Sequence, residues 1–522
     1  MKNCTGIMIQ GTSSDAGKSF ITTALCRIFS DMGYAVCPFK SQNMSNNSCV
    51  TPDGLEMGRA QGVQAEAARV EPQTYMNPIL LKPRKDTSSE IVLMGKVFDA
   101  PCDKNYYRGF TMGKGLETLR KALAIIDEKY EVMVCEGAGS PAEVNLNAAE
   151  IVNMRVAQEA DIPVLLVADV DRGGAIASVV GTLELLGEDR RRVKGIIFNK
   201  FRGDLSLFED AVEFTEKKTG VKVVGVMPWL TDIVIEGEDI MSINWHRGET
   251  EESNGKLRVG VVKFPRVSNH TDIEAFRFEP DVEIIELASP AQVASLDAVV
   301  LPGTKSTVLD MKYLLDSGLA AEIRRFYQNG GTVYGLCGGY QMMGEEIDDR
   351  HLRDNDKIPA IEGLGLLPVV TTFGEEKTTI RRRGRTIHPY FKEAAAVDGY
   401  EIHFGETRPL REEPGFAPLF ELDGRADGLA DGELRAGGSY LHNAFHNDLF
   451  RAVWLNRLRK KRGLPEREAV STAAAKEAAY DALAAQTRKN LDLDYIIDIM
   501  HLKADAPARR ADGGNPQSTE AK

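Results

Sequence analysis

The sequence is short of several features that would each fix a class of function. Seven cysteines stand at positions 4, 26, 37, 49, 102, 135 and 337 of 522 residues, an odd number without a Cys-x-x-Cys pair. That spacing gives neither a disulfide framework nor a zinc site, and it leaves most of the thiols as small core residues. No apolar run approaches the ~20 residues a membrane-crossing helix needs, and Met1-Lys2-Asn3-Cys4-Thr5 has no signal-peptide pattern. A cytoplasmic protein with no membrane partner is expected. Positive charge is not in excess either: 64 Lys and Arg face 77 Asp and Glu, a net charge of −13, so composition implies no basic face for general nucleic-acid binding. The short basic runs Arg190-Arg191-Arg192 and Arg381-Arg382-Arg383 read as solvated loops or helix ends. No internal repeat is visible.

What is present is alternation. Hydrophobic residues make up 43% of a chain longer than one typical domain, enough to bury more than one core. An apolar run from Thr5 to Gln10 is followed by Gly11-Thr12-Ser13-Ser14-Asp15-Ala16-Gly17-Lys18-Ser19 and then by an amphipathic segment from about Phe20 to Met32. Strand, glycine-bounded loop and helix are the context a phosphate-binding loop requires. Its amides would cradle phosphates, Lys18 would neutralise them and the Ser19 hydroxyl would ligate Mg²⁺. The loop carries one residue more between Gly11 and Gly17 than the usual spacing.

Further strands are expected at Ala35 to Phe39, Val132 to Cys135, Val164 to Ala168, Gly195 to Phe198 and Val221 to Val226. Strands alternating with helical segments predict a parallel, doubly wound α/β sheet, which binds ligands at the carboxyl ends of its strands. Three strand ends therefore carry the information. Lys40 and Asn43 follow the second strand as substrate candidates, and Glu136 follows Val132 to Cys135, where a carboxylate could reach a phosphate-bound Mg²⁺. Asp169 and Asp171 follow the next strand, where they serve equally well as turn residues or as groups facing a nucleotide or substrate.

A polar stretch from His246 to Lys256 reads as a linker, after which Leu257 to Lys263 opens a second α/β unit. Its later strands are expected at Val282 to Leu287, Ala298 to Leu301 and Thr332 to Tyr334. The last feeds Gly335-Leu336-Cys337-Gly338-Gly339, a cysteine between glycines on a strand-to-helix turn. A nucleophile there needs small neighbours, and the amides after the turn, Gly338 first, point at a developing oxyanion. The alternative is a buried structural cysteine. A thiol nucleophile needs a base beside it, and His442, after an extended run, is the favoured one of eight histidines. His446 is its rival, His403 a substrate contact, and His270, His351 and His388 read as surface groups. Residues 504–522 read as a disordered tail.

Gly-Leu-Cys-Gly-Gly-Tyr-Gln at 335–341, with a later strand-end histidine, resembles the class I glutamine amidotransferase domain. That implies a Cys337–His442 pair hydrolysing glutamine through a thioester. Many members orient the histidine with a glutamate two residues on, where this chain has Ala444. The longer phosphate-binding loop is similar to that of dethiobiotin synthetase. Together with Pro38 to Met44, Glu56 to Gln61, Met76 to Pro83, Asp169 to Gly174, Asn199 to Asp204, Pro265 to Asp272 and Leu301 to Thr307, the two halves resemble the cobyric acid synthase family of cobalamin-pathway amidotransferases. The resemblance implies ATP and Mg²⁺ as cofactors, glutamine as nitrogen donor and a corrinoid as substrate. The implied reaction is amidation of the b, d, e and g propionates of adenosylcobyrinic acid a,c-diamide. The sibling synthase that makes the a,c-diamide and a non-catalytic partition-type ATPase are the alternatives. The expected division is a synthetase domain at 1–245, a linker at 246–256, an amidotransferase domain at 257–455, a helical extension at 456–503 and the tail.

Overall fold

The computed structural model describes residues 1, 3–85, 88–98, 109–145, 149–237, 255–355 and 357–502. Cys102, most of the expected linker and the expected tail lie outside the described residues. The first half is built on six strands: β1 (Thr5–Gly11), β2 (Val36–Phe39), β3 (Val132–Glu136), β4 (Val164–Asp169), β5 (Val193–Phe201) and β6 (Lys222–Pro228). Their order is β6-β5-β4-β1-β3-β2 with every neighbouring pair parallel. The central strands are runs of apolar residues because helices cover both faces of the sheet. Helix α1 (Lys18–Asp31) starts two residues earlier than the amphipathic pattern suggests. Lys18 and Ser19 therefore belong to its first turn, whose amides face the loop.

Between β2 and β3 lies an insertion that apolar periodicity does not reveal. It holds a sheet of Gln42–Met44, Ile79–Lys85, Ser88–Leu93 and Lys96–Phe98, and a pair of short antiparallel strands, Ser48–Val50 and Glu56–Gly58. The second of these runs directly into a helix, Arg59–Ala67.

The second half has a seven-stranded sheet of β7 (Leu257–Val262), β8 (Val282–Leu287), β9 (Ala298–Leu301), β10 (Thr332–Leu336), β11 (Phe416–Ala417), β12 (Leu429–Asp431) and β13 (Ala436–Ser439). The order is β8-β7-β9-β10-β13-β12-β11, parallel as far as β13 and antiparallel beyond it. A long hairpin, Val369–Thr386 with Ala396–Pro409, reaches the first half. Arg381 Nε donates to Val50 O at 2.8 Å and the Tyr400 hydroxyl to Ser48 O at 3.0 Å. The run Arg381-Arg382-Arg383 is thus strand, not the loop or helix end expected from charge alone; Arg382 and Arg383 pair with Glu401 and Asp398 on the facing strand.

The helix Asp448–Lys461 packs Phe450 and Trp454 against Tyr334 and Phe445 of the second half. The next two, Thr472–Asn490 and Leu493–Ile499, return to the first half. There Glu477 and Asp481 pair with Arg27 of α1, and Asp492 N–H donates to Val224 O.

Candidate active sites

At the carboxyl end of β1 the loop from Gly11 to Ser19 wraps over the start of α1. Asp15 and Gly17 both take positive φ, 56° and 98°. Lys18 Nζ donates to Ser13 O at 2.9 Å and to Gly139 O at 3.0 Å, which places its ammonium between the two loops that follow β1 and β3. Glu136 ends β3 with its side chain fully buried. Its Oε1 accepts from the Ser19 hydroxyl at 2.8 Å and from Lys40 at 3.0 Å, while Oε2 accepts from Gln64. Ser19 and Glu136 are hard oxygen donors beside a helix N-terminus and a lysine. That donor chemistry fits Mg²⁺ carrying nucleotide phosphates.

Asp169 and Asp171 sit at the end of β4 in two different roles. Asp169 accepts the Asp171 N–H at 2.9 Å and pairs with Lys200 at 2.8 Å, while Asp171 pairs with Arg202 at 2.9 Å. Lys200, named in the sequence only within the stretch Asn199 to Asp204 and given no role there, also donates to Asp15 O at 2.6 Å and so ties β5 to the loop. Asn43 is buried in the insertion, converging with Gln61 and Asn77 on Gly58.

In the second half Cys337 follows β10 with φ 50° and ψ −108°, a strained conformation between strand and the short helix Gly338–Met342. The glycines are required by close approach. A Cβ at Gly335 would lie 2.6 Å from the Gly339 carbonyl, and one at Gly339 would collide with Leu301 O. Cys337 is buried, with Sγ 3.7 Å from Ile402 O. His442 follows β13 and meets the thiol side chain. Its backbone bridges Tyr400, on whose ring the imidazole stacks at 5.1 Å.

The base has a further partner that no local pattern revealed. His442 Nδ1 lies 2.7 Å from Asp272 Oδ2, both side chains 1% exposed, and Asp272 Oδ1 accepts the Asn443 N–H at 2.8 Å. Burial alone would lower the imidazole, but Asp272 and then Cys337 outweigh it and raise His442 to about 10. Asp272 ends the stretch Pro265 to Asp272 that carried part of the resemblance, which was the one available signal. His446 points elsewhere, donating to Thr271 O at 2.9 Å. His270 and His388 are buried, not surface groups, because His270 lies against the first half and His388 against the Ala430 backbone.

A cavity of about 780 Å³ opens over Cys337 and Gly338. His403 lines it, stacked on Tyr440 at 3.7 Å with Nδ1 donating to Gly405 O; it lies within the strand Ala396–Pro409 rather than after it. Asn46, Lys82 and Pro83 of the first half share the wall with Lys305 and Lys377 of the second. Lys82 and Lys377 both pair with the buried Glu56. Burial would raise that carboxyl, but the two lysines hold it well below the usual range.

Residues 7–243 match the family described as the CobQ/CobB/MinD/ParA nucleotide binding domain, and residues 258–450 match the CobB/CobQ-like glutamine amidotransferase domain. The chain is 45% identical to the cobyric acid synthase of Geobacillus thermodenitrificans, covering 95% of this chain and 98% of that one. It is 44% identical to that of Geobacillus kaustophilus, over 95% and 97% of the two chains. With the cobyric acid synthase of Desulfitobacterium hafniense it shares 42% identity over 95% and 98%. A nucleotide-binding loop in one half, a buried Cys–His pair in the other and relatives matched nearly end to end agree: the chain belongs to the cobyric acid synthase family of glutamine-dependent amidoligases.

Proposed function

We propose that the chain converts adenosylcobyrinic acid a,c-diamide to adenosylcobyric acid, amidating the b, d, e and g propionates with one ATP and one glutamine each. The observation that carries this reading is the cavity over Cys337, whose wall includes residues of the nucleotide-binding half. Nitrogen made at the thiol is thereby released at the boundary with the half that activates the acceptor.

At the thiol site Cys337 passes its proton to His442 and Sγ bonds to the amide carbon of glutamine. The C–N bond then breaks as His442 gives its proton to the departing ammonia. Water hydrolyses the thioester to glutamate and restores the thiol. The Gly338 amide, first in the short helix, faces the oxyanion of each tetrahedral intermediate.

At the synthetase site a propionate oxygen attacks the terminal phosphorus of ATP and ADP leaves. Ammonia displaces phosphate from the resulting acyl phosphate to give the amide. A free carboxylate would have to expel oxide, which is why activation comes first. Lys18 and the loop amides offset charge on the transferring phosphoryl group. Ser19 and Glu136 would hold Mg²⁺, which adds positive charge at the phosphate oxygens. Lys40, Asn43, Asp169 and Asp171 border the acceptor and nucleotide side. An enclosed transfer keeps ammonia unprotonated, since in water near neutral pH it would be ammonium and could not attack.

The test is a mass-spectrometric count of amides added to the a,c-diamide with ATP and glutamine. Four additions are expected. No addition to the diamide, with two additions to cobyrinic acid instead, would assign the chain to the sibling reaction.

A further inference from the structure

Ala444 stands, fully buried, where many amidotransferases of this class carry an orienting glutamate. The carboxylate that meets His442 enters from a different element, the helical turn segment His270–Phe278, 170 residues earlier in the chain. A histidine whose Nδ1–H is tied to a carboxylate is fixed in ring orientation and presents Nε2 to its nucleophile. Asp272 meets that requirement with one oxygen and anchors itself on the Asn443 N–H with the other.

We propose that Asp272 is the positioning carboxylate of the glutaminase, and that Asn47 and Ser48 of the synthetase half hold its segment in place. This rests on the glutaminase reading above. The three residues before Asp272 each bond to the synthetase half or to a side chain that faces it. Asn269, at φ 51°, accepts the Ser48 N–H on Oδ1 at 2.9 Å and brings Nδ2 to 3.3 Å from His442 Nε2. His270 N–H donates to Asn47 Oδ1 at 3.3 Å. Thr271 O accepts from His446, whose other ring nitrogen lies 3.9 Å from Glu236 of the synthetase half. His442 is therefore set by a segment docked across the domain boundary. The Ser48–Val50 strand on the far side of that boundary leads through Glu56–Gly58 into the helix that brings Gln64 to Glu136.

Among the described residues His442 faces Cys337, Asp272, the Asn269 side-chain amide and the ring of Tyr400; Asp272 also faces His270, Tyr400 and Tyr334. Replacing Asp272 by asparagine removes the negative charge closest to the imidazole, so the imidazolium gives up its proton at lower pH.

The full-length Asp272→Asn protein is assayed with glutamine and, separately, with ammonium salt across pH. Glutamine-dependent kcat/KM is expected to fall roughly 10⁴-fold, by analogy with loss of the orienting carboxylate in hydrolase triads. Ammonium-dependent amidation should stay within about twofold, and the alkaline limb of the glutamine profile should move to lower pH. An unmoved limb with near-normal glutamine turnover overturns the assignment of Asp272. Asn47→Ala, remote from the reacting atoms, is expected to lower glutamine kcat about 5- to 20-fold, the loss of one hydrogen bond's worth of positioning, while sparing ammonium use. An unchanged ratio of the two activities overturns the cross-boundary part. If Asp272→Asn also loses the ammonium reaction, histidine-labelled wild-type protein decides by NMR. The ring signal that disappears in His442→Gln should stay protonated towards pH 10, and titration near 6.5 overturns the proposal. Failure of wild-type protein to hydrolyse glutamine at all would instead remove the glutaminase reading itself.

Discussion

At the scale of single residues the two sites differ in how they announce themselves. Lys18, Ser19 and Cys337 are legible because each needs particular neighbours within a few positions: glycines, a strand before and a helix after. Glu136 is legible because a carboxylate at a strand end is placed by topology. Asp272 is not, since its partner lies 170 residues away and the two meet where the segment His270–Phe278, which follows β7, packs on the turn after β13. Lys200 was missed for the same reason, reaching the phosphate-binding loop from the end of β5. Lys18→Ala is expected to lower amidation by roughly 10³-fold with either nitrogen source, while glutamine hydrolysis at Cys337 persists. Steady-state assays with glutamine and with ammonium check this, and undiminished amidation would show that the loop is not where the carboxylate is activated.

Among elements, the long buried strands were readable and the short polar ones were not. Runs such as Val164–Asp169 or Ala298–Leu301 are apolar because both of their faces are covered. The strands Ser48–Val50 and Glu56–Gly58 have no such pattern; they pair with each other and meet the second half through the Tyr400 hydroxyl. Their main tie is Glu56, buried between Lys82 of its own half and Lys377 of the long hairpin. Glu56→Gln leaves buried ammonium groups without that carboxylate and is expected to cost about 3 kcal/mol, read as an earlier unfolding transition. The carboxyl is depressed in the folded protein, so its contribution is complete above the ordinary glutamate value near 4.5 and is lost as pH falls below it. Wild-type protein should lose stability through that acid range and Glu56→Gln should lose less; equal acid sensitivity of the two would contradict the tie.

For the molecule as a whole, the sequence pointed to two α/β halves, and each is built on its own largely parallel sheet, one of six strands and one of seven. It did not show how they join. The hairpin of the second half lies on the insertion of the first, and the helices Thr472–Asn490 and Leu493–Ile499 return from the end of the described chain to pack on α1 and β6. Such contacts are between faces that each look like ordinary solvated charge in one dimension: Arg27 with Glu477 and Asp481, or Lys377 with Glu56. In the proposed division of labour, ammonia is released from glutamine at Cys337 and used near Lys18. The most direct measurement is Cys337→Ser assayed on the a,c-diamide with ATP and either glutamine or ammonium salt. Glutamine-dependent amidation should vanish while the ammonium-dependent reaction continues at the wild-type rate; loss of both, or retention of both, would contradict it.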